Sequence, residues 1–121
     1  MRGWPGKEHV MAYKSILERE DVDELFDAVL TLKDREDCYR FFEDLCTINE
    51  IHAIAQRMEV AKYLAEKKTY SEIERITNAS TATISRINKC LVYGAGGYRL
   101  ALDRLKEKKE GDLAEEPEDD E

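Results

Sequence analysis

The sequence predicts an all-α domain, on three observations. Apolar residues recur at three- and four-residue steps in segment after segment, the spacing of one face of a helix. Charged residues make up 38% of the 121 residues and hydrophobic ones 42%, a balance that suits amphipathic helices with broad solvated faces. Only two prolines, the residues that most strongly break helices, are present. A chain of this length carries one modest core, so one folded domain is expected, over residues 15–109.

Residues 1–14 hold Trp4, Pro5 and two glycines without periodicity, and Met11 is itself a candidate start. They are expected to form a flexible N-terminal arm or a remnant foreign to the fold. Asp21 followed by Glu24 has the form of a helix start, and Val22, Leu25, Phe26 and Val29 continue one face towards Leu32. Asp34 with Asp37 opens a second helix with Cys38, Phe41, Phe42 and Leu45 as its buried stripe. Thr47 and Glu50 have capping-box spacing ahead of a long third helix, whose stripe is Ile51, Ile54, Ala55, Met58, Ala61, Leu64 and Ala65. Ser71 and Glu74 repeat that spacing before a short helix through Thr77. A last helix is expected beyond Gly97 on Leu100, Ala101 and Leu105. Residues 110–121 offer nothing to bury and are expected to be an acidic, disordered tail.

Cys38, Cys46 and Cys90 form no Cys-x-x-Cys pair and sit in apolar positions, so buried thiols are expected rather than disulfides or a metal site. No cofactor is expected. With His9 and His52 as the only histidines and no nucleophile paired to a base by motif, an enzyme is not expected either. No apolar run is long enough to span a bilayer and no secretory h-region is present. A cytoplasmic protein without a membrane partner follows as the expectation.

The net charge of −8 is unevenly spread. Residues 1–14 carry +2, 15–50 carry −8, 51–109 carry +6 and 110–121 carry −8. DNA responds to the charge of the face it meets, so an acidic total leaves room for a basic reading surface.

Within the basic segment, residues 70–89 have the pattern of a helix-turn-helix. Ile73, Ile76, Ala79, Ile84 and Ile87 are spaced so that two short helices can cross around a small shared core. Asn78 stands where the turn needs a left-handed backbone, and Ser80 can cap the second helix. That helix would turn Thr81, Ala82, Thr83, Ser85, Arg86 and Lys89 outward, short polar groups that allow close approach to base edges. Arg75, Arg99 and Arg104 are further candidate phosphate partners. Two short helices joined by a tight turn also occur in domains that never meet DNA. Turn chemistry, bifacial pattern and basic surroundings together favour double-stranded DNA as the partner.

In order and spacing, Asp44-Leu-Cys-Thr47, Ala-Gln-Arg57 and Ala79-Ser-Thr-Ala-Thr-Ile-Ser-Arg86 resemble the core of the tryptophan repressor (TrpR) superfamily. The chain as a whole is similar to its YerC/YecD branch over about three-quarters of its length. The resemblance implies a TrpR-like domain of about six helices, assembled as an intertwined homodimer with two reading heads about one helical turn of DNA apart. It also implies that Thr81, Ala82, Thr83 and Ser85 face bases or backbone, with Ser71 and Glu74 near phosphates, where Glu74 is an unwelcome charge.

In the repressor, tryptophan lies between two arginines and is held by one of them and a threonine; the matching residues are Arg57, Arg86 and Thr47. The glycine after the second arginine is Ile87 here, and a serine that helps hold the amino group is Cys90. A branched side chain occupies indole volume and a thiol is a poor ammonium partner, so tryptophan is not the expected effector. Two readings of Arg57 and Arg86 stay open: an arginine pair bonded to backbone carbonyls or to acidic residues of the partner subunit, or a site for an unidentified small anionic effector.

The leading expectation is a sequence-specific DNA-binding regulator, a repressor acting as a homodimer. The competing one is a protein-interaction module that kept the architecture, lost DNA reading, and docks through its acidic N-terminal face or tail. The tail itself has two readings, a competitor for the basic face or a solubilising extension.

Overall fold

A computed structural model describes residues 13–115, which contain six helices and no strand. The all-α expectation holds. The expected arm lies almost wholly outside the described residues, as does the end of the expected tail, residues 116–121. The chain divides at Thr47 into two compact units.

The first unit contains α1 (Glu20–Val29) and α2 (Arg35–Leu45). Asp21 does not cap α1. The N-cap is Arg19, whose guanidinium grips the Asp21 carboxylate through Nε at 2.6 Å and Nη2 at 2.8 Å. That pairing draws Asp21 into the first turn and holds its carboxyl below the usual range. Leu30 closes the helix two residues short of Leu32. Asp34 caps α2 as expected, accepting from the Asp37 N–H at 2.9 Å, and the Asp37 carboxylate answers on the Lys33 N–H at 3.0 Å.

The stripe expected to be buried on α2 is not buried within the chain. Neither helix has a buried residue; Phe41 and Phe42 meet edge to face at 5.2 Å and Leu45 is half-exposed. Ile16 and Leu30 are 99% and 71% exposed. The thiols follow the same pattern, Cys38 lying exposed and Cys46 half-buried, contrary to the expectation.

The second unit holds α3 (Ile48–Ala65), α4 (Tyr70–Thr77), α5 (Thr81–Tyr93) and α6 (Gly97–Glu115). Helix α3 packs against the other three. The core consists of Val60 and Ala61 from α3, Ile73 from α4, Ala79 from the turn, and Ile84 and Ile87 from α5, with Tyr63, Leu64, Tyr98 and Leu102 against it. Of the stripe expected on α3, Ala61 and Leu64 reach the core, but at about 100° per residue the centre of the stripe lies roughly a quarter turn from the buried arc. Ile54 is therefore half-exposed while Val60, outside that stripe, is fully buried. The same rotation occurs on α6, where Tyr98 and Leu102 face the core and Leu100 and Leu105 do not. Cys90 falls about a quarter turn from the Ile84–Ile87–Leu91 stripe, which leaves its thiol exposed.

Two helix ends depend on left-handed residues. After α3, Lys67 has φ 69° and the Lys68 N–H reaches back to the Tyr63 carbonyl at 3.0 Å, the wrap-around closure usually made by glycine. A side chain in that conformation costs energy that glycine does not, so Lys67→Gly is expected to stabilise the protein by about 0.5–1 kcal/mol. Urea unfolding of the two proteins checks this, and an unchanged or lowered midpoint would contradict it. Before α6, Gly96 has φ 86°, and its carbonyl accepts the Leu100 N–H. Helix α6 continues past Lys109 to Glu115, so residues 110–115 are helical where disorder was expected.

Candidate nucleic-acid interface

The helix-turn-helix of residues 70–89 is present as α4, a three-residue turn and the body of α5. Its first cap lies two residues earlier than expected. Thr69, not Ser71, forms the capping box: its Oγ1 accepts the Glu72 N–H at 3.1 Å, and the Glu72 carboxylate accepts the Thr69 N–H at 2.8 Å. The Thr69 backbone bond, followed by its hydroxyl and the charges of Lys68 and Arg75, holds the Glu72 carboxyl below its ordinary range. A lowered folded-state pKa means the box helps at neutral pH, and its contribution is lost as pH falls through that lowered value.

This register leaves Ser71 at the second position of α4, exposed, and releases Glu74 from capping. Asn78 has φ 62° and ψ 18°, the left-handed geometry expected of it, and its N–H closes α4 on the Glu74 carbonyl at 2.9 Å. Thr77 Oγ1 donates to the Ile73 carbonyl at 2.7 Å and accepts the Ala79 N–H at 3.2 Å. From α3, Gln56 Nε2 donates to the Thr77 carbonyl at 3.0 Å, satisfying a helix-end group that would otherwise lack a partner. Ser80 caps α5, accepting the Thr83 N–H at 3.1 Å while its hydroxyl donates to Thr83 Oγ1 at 3.0 Å.

Ile84, Ile87 and Leu91 of α5 point into the core. The rotation that buries them leaves Thr81, Ala82, Arg86 and Lys89 exposed and Thr83 and Ser85 half-buried. Among the described residues neither Arg86 nor Lys89 forms an ion pair, so no carboxylate of the chain compensates their charges. The Thr81 hydroxyl donates to the Glu74 carboxylate across the turn. Sequence reasoning placed both residues near DNA but did not join them.

The residues matched to the repressor's ligand site are dispersed in character. Arg57, Arg86 and Cys90 are exposed on α3 and α5, Ile87 is 2% exposed within the core, and Thr47 ends the first unit. A separate open groove of about 610 Å³ lies between α3 and α6, lined in part by His52, Gln56, Met58, Lys62, Leu102 and Leu105. It contains none of those matched residues, and no sequence pattern singled it out. Among the described residues no group of His, Cys, Asp or Glu could hold a metal ion, and no helix is long and apolar enough to cross a membrane.

An all-helical domain that presents a capped, basic second helix from a helix-turn-helix has the architecture of a repressor-like DNA-binding regulator. Comparison with known proteins makes the class specific. The Trp repressor protein family matches residues 20–106, and the chain belongs to that family. It is 59% identical over 91 residues to the uncharacterized protein YerC of Bacillus subtilis (strain 168), covering 75% of this chain and 88% of YerC. The crystal structure of a TrpR like protein from Eubacterium eligens ATCC 27750 superposes with a TM-score of 0.72 at 53% identity, over 74% of this chain and 93% of that one.

Proposed function

We propose that this chain is a sequence-specific transcriptional regulator, a repressor that binds double-stranded DNA as a homodimer and does not respond to tryptophan. The observation that carries the reading is the outer face of α5, where small polar residues stand beside Arg86 and Lys89 on a rigid, capped helix. Ser71 lies on the flanking helix as a candidate phosphate donor.

The homodimer is supported by the first unit, whose helices have no fully buried residue within one chain. Exposed apolar surface of that extent calls for a cover. Family membership favours a second copy, and sedimentation should give twice the chain mass; a stable monomer would contradict the assembly. Independence from tryptophan is supported by Ile87, which fills core space where the repressor's pocket needs glycine. Arg57 and Arg86 remain the candidates for holding a different small anion.

The deciding experiment is selection of bound sequences from random duplexes, followed by titration at about 50 mM salt, where phosphate contacts alone give measurable affinity. A palindrome with half-sites about one helical turn apart supports the reading, and added tryptophan should leave that affinity unchanged. Absence of binding to any duplex would refute it and favour the protein-interaction module.

A further inference from the structure

We propose that Glu74 is a specificity-determining residue of the DNA interface, a fixed anion that holds the Thr81 hydroxyl and lowers sequence-independent binding. The proposal deepens the DNA-binding reading and rests on it. Glu74 is held at two levels. Its carbonyl accepts the Asn78 N–H that closes α4, and its carboxylate receives the hydroxyl of the first residue of α5.

The recognition helix has no acidic residue in its own first turn. Glu74 therefore supplies from α4 the negative charge that suits the positive end of α5. No Lys or Arg forms an ion pair with it among the described residues, so its charge is not neutralised by a cation. The bond to Thr81 keeps this carboxylate beside the first residue of α5, so a phosphate drawn to that helix N-terminus comes within range of a like charge and is repelled.

The base edges are affected differently. A carboxylate only accepts hydrogen bonds, so it tolerates the amino groups of cytosine and adenine and opposes the paired acceptors of guanine. With its proton committed to Glu74, Thr81 can offer DNA its methyl group, which suits the methyl of thymine, or accept a bond. The pair thus penalises generic phosphate contact while remaining compatible with a subset of base edges. The ratio of specific to non-specific affinity rises as a result.

The test compares wild type, Glu74→Gln, Glu74→Ala and Thr81→Val on the selected duplex and on a random-sequence duplex between about 50 and 200 mM salt. Both Glu74 variants are expected to bind the random duplex about tenfold more tightly at the low-salt end, with a comparable fall in the specificity ratio. Two variants guard against the failure of one to fold, which a helical spectrum and melting midpoint report. Thr81→Val keeps the charge, so its random-duplex affinity should not rise.

If wild type binds DNA and neither Glu74 variant changes the random-duplex affinity or the ratio, the proposal is overturned and the DNA-binding reading stands. An equal rise for Thr81→Val would also overturn it, because the hydroxyl rather than the charge would then be the cause. If none of the proteins binds any duplex, both the proposal and the reading beneath it fall.

Discussion

Ile84→Ala is expected to lower the unfolding free energy by about 2–5 kcal/mol, a large share of the roughly 5–15 kcal/mol that holds a domain of this size together. Ile84 is fully buried, and it shares its core with Val60, Ala61, Ile73, Ala79 and Ile87. Truncation removes three carbons from the place where α5 joins the rest of the second unit. Neither Ala61 nor Ala79 can extend to fill the gap, so the void should persist rather than collapse.

Ile76 supplies the control. It has the same side chain on the neighbouring helix but is 42% exposed, so Ile76→Ala should cost about 1 kcal/mol or less in lost burial. Urea unfolding should be compared at one protein concentration, because association contributes to the stability of any dimer. Equal losses for the two variants would mean that the core is not centred on Ile84. DNA affinity should fall with Ile84→Ala only in proportion to the folded fraction.

The helix-turn-helix was legible because its determinants are local. Asn78 and Ser80 sit within one short turn, and the isoleucine spacing on either side permits a single crossing. The cap of α4 was not, because Thr69 to Glu72 and Ser71 to Glu74 have the same spacing and overlap. Only the packed register, with Ile73 buried, selects the first. On α3 the difficulty was an apolar surface that extends beyond one face. Periodicity found Ala61 and Leu64, which do meet the other helices, but missed Val60 and Tyr63 beside them.

Composition misled at the C-terminus. The residues read as disordered between 110 and 115 include Glu, Leu and Ala, all good helix formers, and α6 continues through them despite Gly111. The cysteines were read from helical pattern alone, which cannot tell whether a face is covered within the same chain. At the candidate interface, Arg86 and Lys89 were legible as charges on the outer face of α5. The bond from Thr81 to Glu74 was not, since the two stand seven residues apart and meet only because Asn78 folds the chain back.

A paired substitution at the start of α5, Ala82→Asp with Thr83→Asp, should separate stability from DNA binding in opposite directions. Both residues lie in the first turn of the helix, Ala82 exposed and Thr83 half-buried. Carboxylates there suit the helix dipole and contribute about 0.3–1 kcal/mol each, and Asp at position 83 retains an acceptor for the Ser80 hydroxyl. The melting temperature should therefore hold or rise. Against DNA the same two charges face phosphate, and the expected loss is at least about a hundredfold at low salt. With the melting temperature held, lost binding cannot be attributed to lost structure. Retained affinity in a stably folded variant would move the DNA-contacting surface away from α5, whatever the family likeness.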